Sequence, residues 1–437
     1  MRRDKFEPLG VPDISNREMD WTGSARGDGG RVTALDRWLA RQLLGAVGDP
    51  PFRIVLWNGE AVAGEHGAQG VSAELRFADR RALLALLHDP ELHFGDLYSA
   101  GRIDIDGDLL DFIETAYRAL DAKIADSHWH QRLSRLRNRP RRNSLTGSRS
   151  NIHHHYDLGN DFYELWLDRE VMQYTCAYYP DPSMTVEQAQ VAKLHHVCRK
   201  LRLEPGQTVV EAGCGWGGLA RFMAKHYGVK VRAYNISHEQ VSFARARAEQ
   251  EGLADRVEYV EDDYRNIKGD FDIFVSVGML EHVGTDHYRE LGGVVDRCLK
   301  DRGRGLIHTI GRNQAGVMNA WIEKRIFPGA YPPTLGQMME IFEPWEFSVQ
   351  DVENLRLHYA RTLTHWLERF DQNLERIRDM FDERFIRAWR LYLVGSIAAF
   401  TTGSLQLFQV VFERPQTNDL PWSRAHLYTA GSHGQAQ

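Results

Sequence analysis

The chain has 437 residues, of which 43% are hydrophobic and 26% are charged, and its formal net charge at pH 7 is −6. This length allows two or three domains, and the composition is that of a globular protein, which excludes a disordered or fibrous chain. The most apolar stretch, residues 391–400, is about half as long as a membrane span, and the first residues lack the apolar run of a secretory signal, so any membrane contact is expected to be peripheral.

The first 125 residues predict a small α+β domain. Residues 1–30 are polar and glycine-containing, and they are expected to be loose. Residues 52–57 predict a strand that is followed by a hairpin turn at Asn58-Gly59, and residues 71–77 predict another strand. No catalytic constellation occurs in this part of the sequence.

Apolar side chains at helical spacing between Leu109 and Tyr117 predict a helix near the end of this domain. The preceding run, Asp104-Ile-Asp-Gly-Asp108, is like a calcium loop but lacks the glutamate that such a loop has at its twelfth position. A turn before the helix, with Asp108 as the N-cap, is therefore the favoured interpretation.

Residues 126–150 are predicted to form a basic linker. No acidic residue occurs between Ser127 and Tyr156. The same stretch contains seven arginines: Arg132, Arg135, Arg137, Arg139, Arg141, Arg142 and Arg149. This composition fits a solvated linker, and it also fits an electrostatic contact with an anionic membrane or with nucleic acid. The four cysteines, which have neither metal-ligand spacing nor a disulfide framework, indicate a reduced, cytoplasmic setting.

Short apolar strands alternate with amphipathic helices from residue 208 onward, which predicts a doubly wound parallel sheet. The predicted elements are strand 208–211, helix 217–227, strand 230–234, helix 238–251, strands 257–260 and 271–277, helix 286–299 and strand 305–310. A loop-rich insertion at 312–345 is expected to be able to cover a substrate. The pattern then resumes with a strand near 349–356, helices within 360–403 and a closing strand at 405–412. The catalytic domain is thus predicted to span 151–413, with a C-terminal tail at 414–437.

A glycine-rich turn joins the first of these strands to its helix, in Val209-Val-Glu-Ala-Gly-Cys-Gly-Trp-Gly-Gly218. Glycine permits a positive φ and a close approach of the backbone to a ligand, and the helix points its amino terminus at that ligand. The spacing also satisfies the dinucleotide-binding pattern, which is weak evidence by itself. Glu211 before the turn, and Asn235 in place of the acid that would hold an NAD ribose, favour S-adenosylmethionine.

Candidate site residues follow the predicted strands at their carboxyl ends, where open α/β sheets bind ligands. They are Gly213, Asn235 and Asp263 after strands one to three, Glu281 and His282 after strand four, His308 and Ile310 at strand five, and Tyr359 after strand six. The loop after strand four lacks the Asn/Asp-Pro-Pro-aromatic motif that holds a nitrogen acceptor. An alkene acceptor needs a dry apolar cavity, aromatic faces beside the cation, and a base for the departing proton. Aromatic residues crowd the segment before the sheet, namely Phe162, Tyr163, Trp166, Tyr174, Tyr178 and Tyr179.

Five segments, in the same order, closely resemble the cyclopropane-fatty-acid-phospholipid synthase family, which includes the mycolic acid cyclopropane synthases. They are His155-Tyr-Asp-Leu-Gly-Asn-Asp-Phe-Tyr163, Met172-Gln-Tyr-Thr-Cys-Ala-Tyr178, Glu211-Ala-Gly-Cys-Gly-Trp-Gly217, Ser276-Val-Gly-Met-Leu-Glu-His-Val-Gly284 and His308-Thr-Ile-Gly311. The likeness is strong over residues of about 150–413, and the preceding domain is more weakly similar to the family's smaller lipid-associated domain. The resemblance implies a Rossmann-like class I S-adenosylmethionine-dependent methyltransferase with a smaller α+β N-terminal domain and a lid insertion. It also implies methyl transfer to cis double bonds of phospholipid acyl chains, which forms cyclopropane rings.

The same resemblance implies the roles of individual residues. A bound bicarbonate ion would act as the base, with Cys176, Glu281, His308, Tyr359 and the backbone of Ile310 as its ligands. The cofactor site would contain Tyr174, Thr175 and Gly213 at the methionine part, Asn235 and Gln240 at the ribose, Asp263 and Tyr264 at the adenine, and Glu211, Gly215 and Gly278 in the surrounding loops. Asn235 stands where relatives usually have threonine.

Other interpretations of these residues stay open. Cys176 by itself fits a small buried hydrophobe or a nucleophile, and Glu281 fits a helix-capping carboxylate. The run His153-His-His155 suggests a metal site, but adjacent residues do not easily converge on one ion, so no metal is predicted.

The function also has alternatives. Loss of a proton from a neighbouring carbon instead of the new methyl group would make the protein a methylene-fatty-acid synthase. A methyltransferase for a soluble metabolite, or a lipid carrier with a vestigial cofactor site, belongs to another class. The expected setting is cytoplasmic and peripheral, on an anionic bilayer, with a homodimer as the assembly and no nucleic-acid partner.

Overall fold

The computed structural model describes residues 30–66, 70–125 and 158–428, with the backbone alone at 121–125. The predictions for residues 1–29, for the basic linker and for the three adjacent histidines lie outside the described residues. The helices, numbered in chain order, are α1 (Ala34–Ala46), α2 (Arg80–His88), α3 (Pro90–Ser99), α4 (Leu109–Ala125), α5 (Asn160–Tyr163), α6 (Val186–Lys200), α7 (Gly218–Tyr227), α8 (His238–Gln250), α9 (Tyr288–Cys298), α10 (Leu335–Phe342), α11 (Arg356–Gln372), α12 (Leu374–Met380), α13 (Glu383–Thr402) and α14 (Ala425–Tyr428). The strands are β1 (Phe52–Val55), β2 (Ala61–Ala63), β3 (Ala73–Phe77), β4 (Ile103–Asp106), β5 (Thr208–Ala212), β6 (Lys230–Asn235), β7 (Val257–Glu261), β8 (Phe271–Val277), β9 (Leu299–Gly311), β10 (Ser348–Asn354) and β11 (Gln406–Glu413).

The chain forms two compact units that interleave along the sequence. The first unit consists of the described residues within Met1–Arg139 together with Gly316–Pro328 and Leu363–Ser404. The second unit consists of the described residues within the rest of the chain. Segments of the C-terminal half therefore complete the N-terminal unit.

A four-stranded sheet with the order β2-β1-β3-β4 forms one layer of the first unit. The predicted hairpin is confirmed, because β1 pairs antiparallel with β2 across the turn, where Gly59 has a φ of 85°. Strand β4 occupies part of the run that was predicted as a turn. The N-cap prediction is confirmed, since Asp108 Oδ1 accepts from the N–H of Asp111 at 2.9 Å.

The long helix α13 packs against α3 and α4 in this unit. The Arg387 guanidinium lies 4.2 Å from the centre of the Tyr98 ring and donates to the Tyr98 carbonyl at 2.7 Å. A buried bidentate ion pair joins Arg325 to Asp96, with N–O distances of 2.9 and 2.8 Å. These contacts explain why the segments around 316–328 and 363–404 belong to the first unit.

The second unit is built on a seven-stranded sheet with the order β10-β11-β9-β8-β5-β6-β7. The predicted alternation of strands and helices is confirmed, and β5, β6, β7, β8 and β9 are parallel. Strand β11 runs antiparallel to both of its neighbours, which the alternation did not predict.

Two apolar cores cover the faces of this sheet. Successive residues of one strand enter opposite cores, as Val209 and Val210 do in β5, because side chains alternate across a strand. Helices α6, α7 and α8 contribute to one core, and α9 and α10 contribute to the other. The sheet is thus buried on both sides, which leaves its edges and strand ends to bind ligands.

The segment 312–345 was predicted to be rich in loops, and the prediction is wrong at its end, where helix α10 forms. A capping box starts this helix: Thr334 Oγ1 accepts from the N–H of Gln337, while Gln337 Oε1 accepts from the N–H of Thr334. The same segment contains a turn of π-helix at Ile322–Ile326. In the part of the chain that the structure describes, no helix is long and apolar enough to cross a bilayer.

Candidate active site

The predicted site residues converge on one edge of the seven-stranded sheet. The strand order reverses between β5 and β8, and such a switch point leaves a crevice beyond the carboxyl ends of the strands. Strand β5 runs into Gly213, β6 ends at Asn235, and β8 runs into Gly278. The candidate site therefore surrounds this switch point.

The loop after β5 has a left-handed backbone at three glycines, with φ values of 83° at Gly213, 52° at Gly215 and 75° at Gly217. A Cβ on Gly213 would lie 2.8 Å from Met279, and one on Gly217 would lie 2.5 Å from the Tyr259 ring. A Cβ on Gly215 would meet no atom within 4 Å. Packing explains two of the glycines, and the third borders open space that a ligand can fill.

Asn235 and Gln240, the predicted ribose ligands, contact each other. Asn235 Nδ2 donates to Gln240 Oε1 at 2.8 Å and to the carbonyl of Gly215 at 3.2 Å. Both side chains are buried. Asn235 thus fastens the glycine loop to α8.

Asp263 and Tyr264, the predicted adenine neighbours, follow strand β7. The Asp263 carboxylate accepts from the N–H of Arg265 and pairs with its guanidinium at 3.2 Å. The same guanidinium lies 4.9 Å from the centre of the Tyr264 ring. Both predicted residues are buried, and they lie beside the end of the strand next to β6.

A buried lysine supports the segment that contains Tyr174, Thr175 and Cys176. Lys193 on α6 has no exposed surface, and its ammonium donates to Gln173 Oε1 at 2.6 Å and to Thr175 Oγ1 at 3.0 Å. Gly278 contacts the same segment, because a Cβ at this position would lie 3.0 Å from Thr175 Cγ2. The predicted cofactor residues Thr175 and Gly278 are therefore neighbours.

Two further buried side chains fix the backbone of this segment. The Asp168 carboxylate accepts from three successive N–H groups, those of residues 171–173, at 2.7 to 3.0 Å. Gln190 Nε2 donates to the carbonyl of Thr175 at 2.8 Å. Met172 has a φ of 50°, which a side chain disfavours, and these hydrogen bonds hold it there.

Aromatic rings pack around Tyr174. Its ring centre lies 5.2 Å from that of Trp166 and 5.5 Å from that of Tyr163. Tyr163 in turn lies 5.0 Å from Trp216, whose Nε1 donates to Asn160 Oδ1 at 2.8 Å. Such rings exclude water and their faces stabilise a nearby cation.

Glu281 and Ile310 are brought into direct contact. Glu281 Oε1 accepts from the N–H of Ile310 at 2.7 Å, whereas Oε2 is buried without a hydrogen-bond partner among the described residues. Burial raises the pKa of Glu281 to about 7. The group can therefore change its charge near neutral pH.

His308 lies near the end of β9, opposite Gln409 of β11. Its Nδ1 is 3.1 Å from Gln409 Nε2, and its Nε2 is buried with no partner in the described part of the chain. Burial lowers the pKa of His308 well below its ordinary value, and the charges of Lys193 and Lys200 act in the same direction. The ring is therefore neutral at pH 7.

Cys176 is buried beside the start of α11, the helix that carries Tyr359. The thiol donates to the carbonyl of Ala177 at 3.1 Å and lies 3.9 Å from the carbonyl of Leu355, to which the Tyr359 N–H also donates. Burial raises the pKa of the Cys176 thiol, so it stays protonated and is a poor nucleophile. Cys176 and the backbone of Tyr359 thus meet at one carbonyl.

The carboxyl group of Glu211 is enclosed just before the glycine loop. Burial raises its pKa to about 8, although the charges of Lys193 and Arg221 oppose this shift. Burial also lowers the pKa of Lys193 to about 8. Glu211 Oε2 has no hydrogen-bond partner within the described ranges, so this oxygen is available to a ligand.

The sequence analysis did not identify Lys193, Gln190 or Gln409 as site residues. All three are polar residues at buried positions, two on α6 and one on β11. A lysine in line with the apolar residues of a helix is a signal that could have been used, because a buried charge needs polar partners. Within the described residues, no cluster of three or more His, Cys, Asp or Glu side chains could hold a metal ion.

The chain has clear relatives among known proteins. A family model described as mycolic acid cyclopropane synthetase matches residues 143–410, and a model of a domain of unknown function matches residues 39–128. The chain is 35% identical over 391 residues to a probable fatty acid methyltransferase of Pseudomonas putida, which covers 86% of this chain and 96% of that protein. It is 44% identical over 271 residues to the cyclopropane-fatty-acyl-phospholipid synthase of Escherichia coli K12, which covers 62% of this chain and 69% of that protein.

A solved structure is also similar. It is the mycolic acid cyclopropane synthase CmaA1 complexed with SAH and CTAB, and it aligns with a TM-score of 0.58 and 28% identity. The alignment covers 61% of this chain and 98% of that one. The family match at residues 143–410 contains the residues of the candidate site.

Proposed function

Because this chain belongs to the mycolic acid cyclopropane synthetase family, we propose that it converts cis double bonds of phospholipid acyl chains into cyclopropane rings. The predicted Rossmann-like class I fold is confirmed by the solved relatives, and the chain is an S-adenosylmethionine-dependent methyltransferase. One observation carries the more specific proposal. Glu281 Oε2 and His308 Nε2 are buried polar atoms that have no hydrogen-bond partner among the described residues, at the carboxyl ends of the strands, where such folds bind ligands.

The residues present fit S-adenosylmethionine. A Cβ on Gly215 would meet no atom within 4 Å, and Glu211 Oε2 has no hydrogen-bond partner within the described ranges, so the glycine loop and the strand before it offer both room and a polar atom to a ligand. Tyr174, Thr175 and Gly213 would hold the methionine part, Asn235 and Gln240 the ribose, and Asp263 and Tyr264 the adenine, with Gly278 in a loop beside them. The bound cofactor supplies an electrophilic methyl group.

The residues around Glu281 fit bicarbonate. That ion has an O–H donor and acceptor oxygens, so it needs both an acceptor and a donor from the protein. Glu281 Oε2 is an acceptor when the carboxyl group is ionised, and a protonated His308 Nε2 is a donor. Cys176, Tyr359 and the backbone of Ile310 would complete the site, and the ion would supply a base.

The protein's own groups favour alkylation of carbon. The Cys176 thiol stays protonated, so it does not accept the methyl group first. The rings of Tyr163, Trp166, Tyr174 and Trp216 exclude water that would capture a carbocation, and their faces stabilise its charge. Glu281 and His308 then hold the proton acceptor inside this dry site.

The reaction is tested with labelled S-adenosylmethionine and vesicles of a monounsaturated phospholipid. We expect the acyl chains to gain one carbon and two hydrogens and to retain the label. Label confined to water-soluble products would contradict the proposal. Glu281→Gln should abolish turnover, whereas Glu340→Gln, which disrupts an exposed ion pair with Arg289, should not.

The close alternative is a methylene-fatty-acid synthase, because the two products have the same mass. The two are distinguished by NMR of the purified lipid, which separates ring protons from those of a terminal methylene. The similarity to a probable fatty acid methyltransferase of Pseudomonas putida supports this alternative. A metabolite methyltransferase would instead methylate no lipid.

We also propose where the protein acts and how it assembles. The arginine-rich residues 126–150 would hold the protein on an anionic bilayer, where its acyl substrates are. A homodimer would be the assembly, and sedimentation of the purified protein measures this directly. A monomer at all protein concentrations would contradict it.

A further inference from the structure

Gln409 is a wholly buried amide in an apolar strand. Its neighbours Phe408, Val410 and Val411 on β11 are buried and apolar. Burying an amide without a hydrogen bond costs free energy, so a polar partner is expected. The partner is His308, which lies directly opposite Gln409 in the antiparallel pairing of β11 with β9.

This contact determines where the imidazole proton lies. Gln409 Nε2 is 3.1 Å from His308 Nδ1. An amide nitrogen only donates, so Nδ1 has to be the acceptor, and a neutral imidazole then carries its proton on Nε2. The ring is neutral because burial lowers the pKa of His308.

We propose that Gln409 is a positioning residue that fixes His308 as the tautomer with a protonated Nε2, so that the active-site anion meets a hydrogen-bond donor. This inference rests on the proposed function, because it assigns a partner to the anion of that site. It explains why a polar residue occupies an inward position of an apolar strand. It also supplies a buried donor on the strand whose end Glu281 reaches through its hydrogen bond with the N–H of Ile310.

The opposite tautomer would have the opposite effect. With the proton on Nδ1, Nε2 would present a lone pair instead of a donor, and the ionised carboxylate of Glu281 is also an acceptor. The anion would then receive no hydrogen bond from either of these two groups. The choice of tautomer therefore decides whether His308 contributes a hydrogen bond to bound bicarbonate.

Nitrogen NMR of the protein labelled at histidine tests the tautomer without substrate or turnover. The signals of His308 are assigned as those that disappear in His308→Gln. We expect a protonated Nε2 and an unprotonated, hydrogen-bonded Nδ1 in the unaltered protein. In Gln409→Glu the carboxylate accepts instead of donating, so Nδ1 should become protonated. A protonated Nδ1 in the unaltered protein, or an unchanged Nδ1 in the variant, would overturn the inference.

The consequence for the anion is tested by the bicarbonate concentration that gives half-maximal release of S-adenosylhomocysteine. We expect this concentration to rise about tenfold or more in Gln409→Glu, which is the effect of losing one hydrogen bond to a charged group. Gln406→Glu is the matched control, because Gln406 is buried on the same strand and accepts from Asn354 through its Oε1, which a carboxylate also does. An equal rise in both variants would overturn the inference.

The two measurements separate this inference from the proposed function. If no lipid is alkylated and bicarbonate has no effect, the proposed function fails, but the NMR result still decides the tautomer. If bicarbonate is required and Nδ1 is protonated, the proposed function stands and the role of Gln409 fails.

Discussion

Glu281 is a carboxyl group that the protein keeps out of water, and its position determines both its charge and its energetic cost. One oxygen is hydrogen-bonded to the N–H of Ile310, and the other has no partner among the described residues. Enzymes place groups with shifted pKa values where proton transfer occurs. The same shift lowers stability, so the proposed catalytic role of Glu281 and the stability of the fold are opposed.

We expect Glu281→Gln to raise the melting temperature at pH 8 and to change it little at pH 5. Burial raises the pKa of Glu281 from 4.5 to about 7, so between these values the folded protein binds more protons than the unfolded chain. The free energy of unfolding that this group contributes therefore falls as pH rises through that window, by on the order of 2–3 kcal/mol between pH 5 and pH 8. Glutamine has no charge to bury and removes this dependence.

Thermal unfolding of both proteins between pH 5 and pH 8 measures this effect. Glu340→Gln is the control, since Glu340 is half exposed and its loss should shift the melting temperature equally at both pH values. A difference between Glu281→Gln and the unaltered protein that does not depend on pH would contradict the prediction.

At the scale of single elements, helix α6 presents two buried lysines with different surroundings. Lys193 donates to Gln173 and Thr175 in the candidate cofactor site, whereas Lys200 pairs with Glu353 of strand β10 at 2.6 Å. Both ammonium groups are almost completely buried. Lys193 and Lys200 can therefore be compared as two equally buried lysines, of which only Lys193 contacts the candidate cofactor site.

We expect Lys193→Met to weaken binding of S-adenosylmethionine about tenfold or more, because two acceptors in the segment of Tyr174 and Thr175 lose their donor. Lys200→Met should leave the affinity unchanged, although it also removes a buried charge and lowers stability. Titration calorimetry with the cofactor measures the affinity, and thermal unfolding measures the stability of each variant. Equal losses of affinity in both variants would mean that Lys193 has no special role.

The glycine loop after β5 allows stability and binding to be separated. Gly217→Ala should strongly lower the melting temperature, because its Cβ would lie 2.5 Å from the Tyr259 ring. Gly215→Ala has open space around its Cβ, so it should lose only about 1 kcal/mol from its positive φ. The added methyl group enters the proposed cofactor space, so the affinity for S-adenosylmethionine should fall. A Gly215→Ala protein with unchanged affinity would contradict this placement of the cofactor.

The elements of the second unit were predictable because their signals are local. Strand β5 and helix α7 follow from the apolar run, the glycines and the helical spacing between residues 208 and 227. The direction of β11 was not predictable, because an apolar strand has the same pattern in either direction. The pairing of Gln409 with His308 depends on that direction and on strand register, and so it also escaped prediction.

At the scale of the molecule, the first unit is held together by contacts between residues that are far apart in the sequence, and such contacts were not predicted. Helix α13 lies far from the N-terminal residues in the chain, yet Arg387 packs on Tyr98, and Thr401 Oγ1 lies 2.5 Å from Glu114 Oε1. The apolar face of this helix predicts burial but does not identify its partner. Only long-range contacts distinguish the two units.

The proposed attachment to an anionic bilayer is tested by changing the arginines of residues 126–150. Replacing their seven arginines by glutamine should abolish binding to vesicles that contain anionic phospholipid, because each basic residue near such a surface contributes about 1 kcal/mol. Binding of the unaltered protein should weaken as salt rises, since the screening length falls to about 10 Å at 0.1 M salt. Co-sedimentation with anionic and with neutral vesicles over a salt series measures both effects.

A matched control distinguishes this cluster from positive charge in general. Arg256 and Arg302 are exposed arginines of the second unit, and their replacement by glutamine should leave vesicle binding unchanged. Equal binding of the unaltered protein to neutral vesicles at high salt would refute an electrostatic attachment. Loss of vesicle binding with full methylation of acyl chains dispersed in detergent would assign the cluster to docking alone, because the proposed catalytic groups are other residues, at the carboxyl ends of the strands.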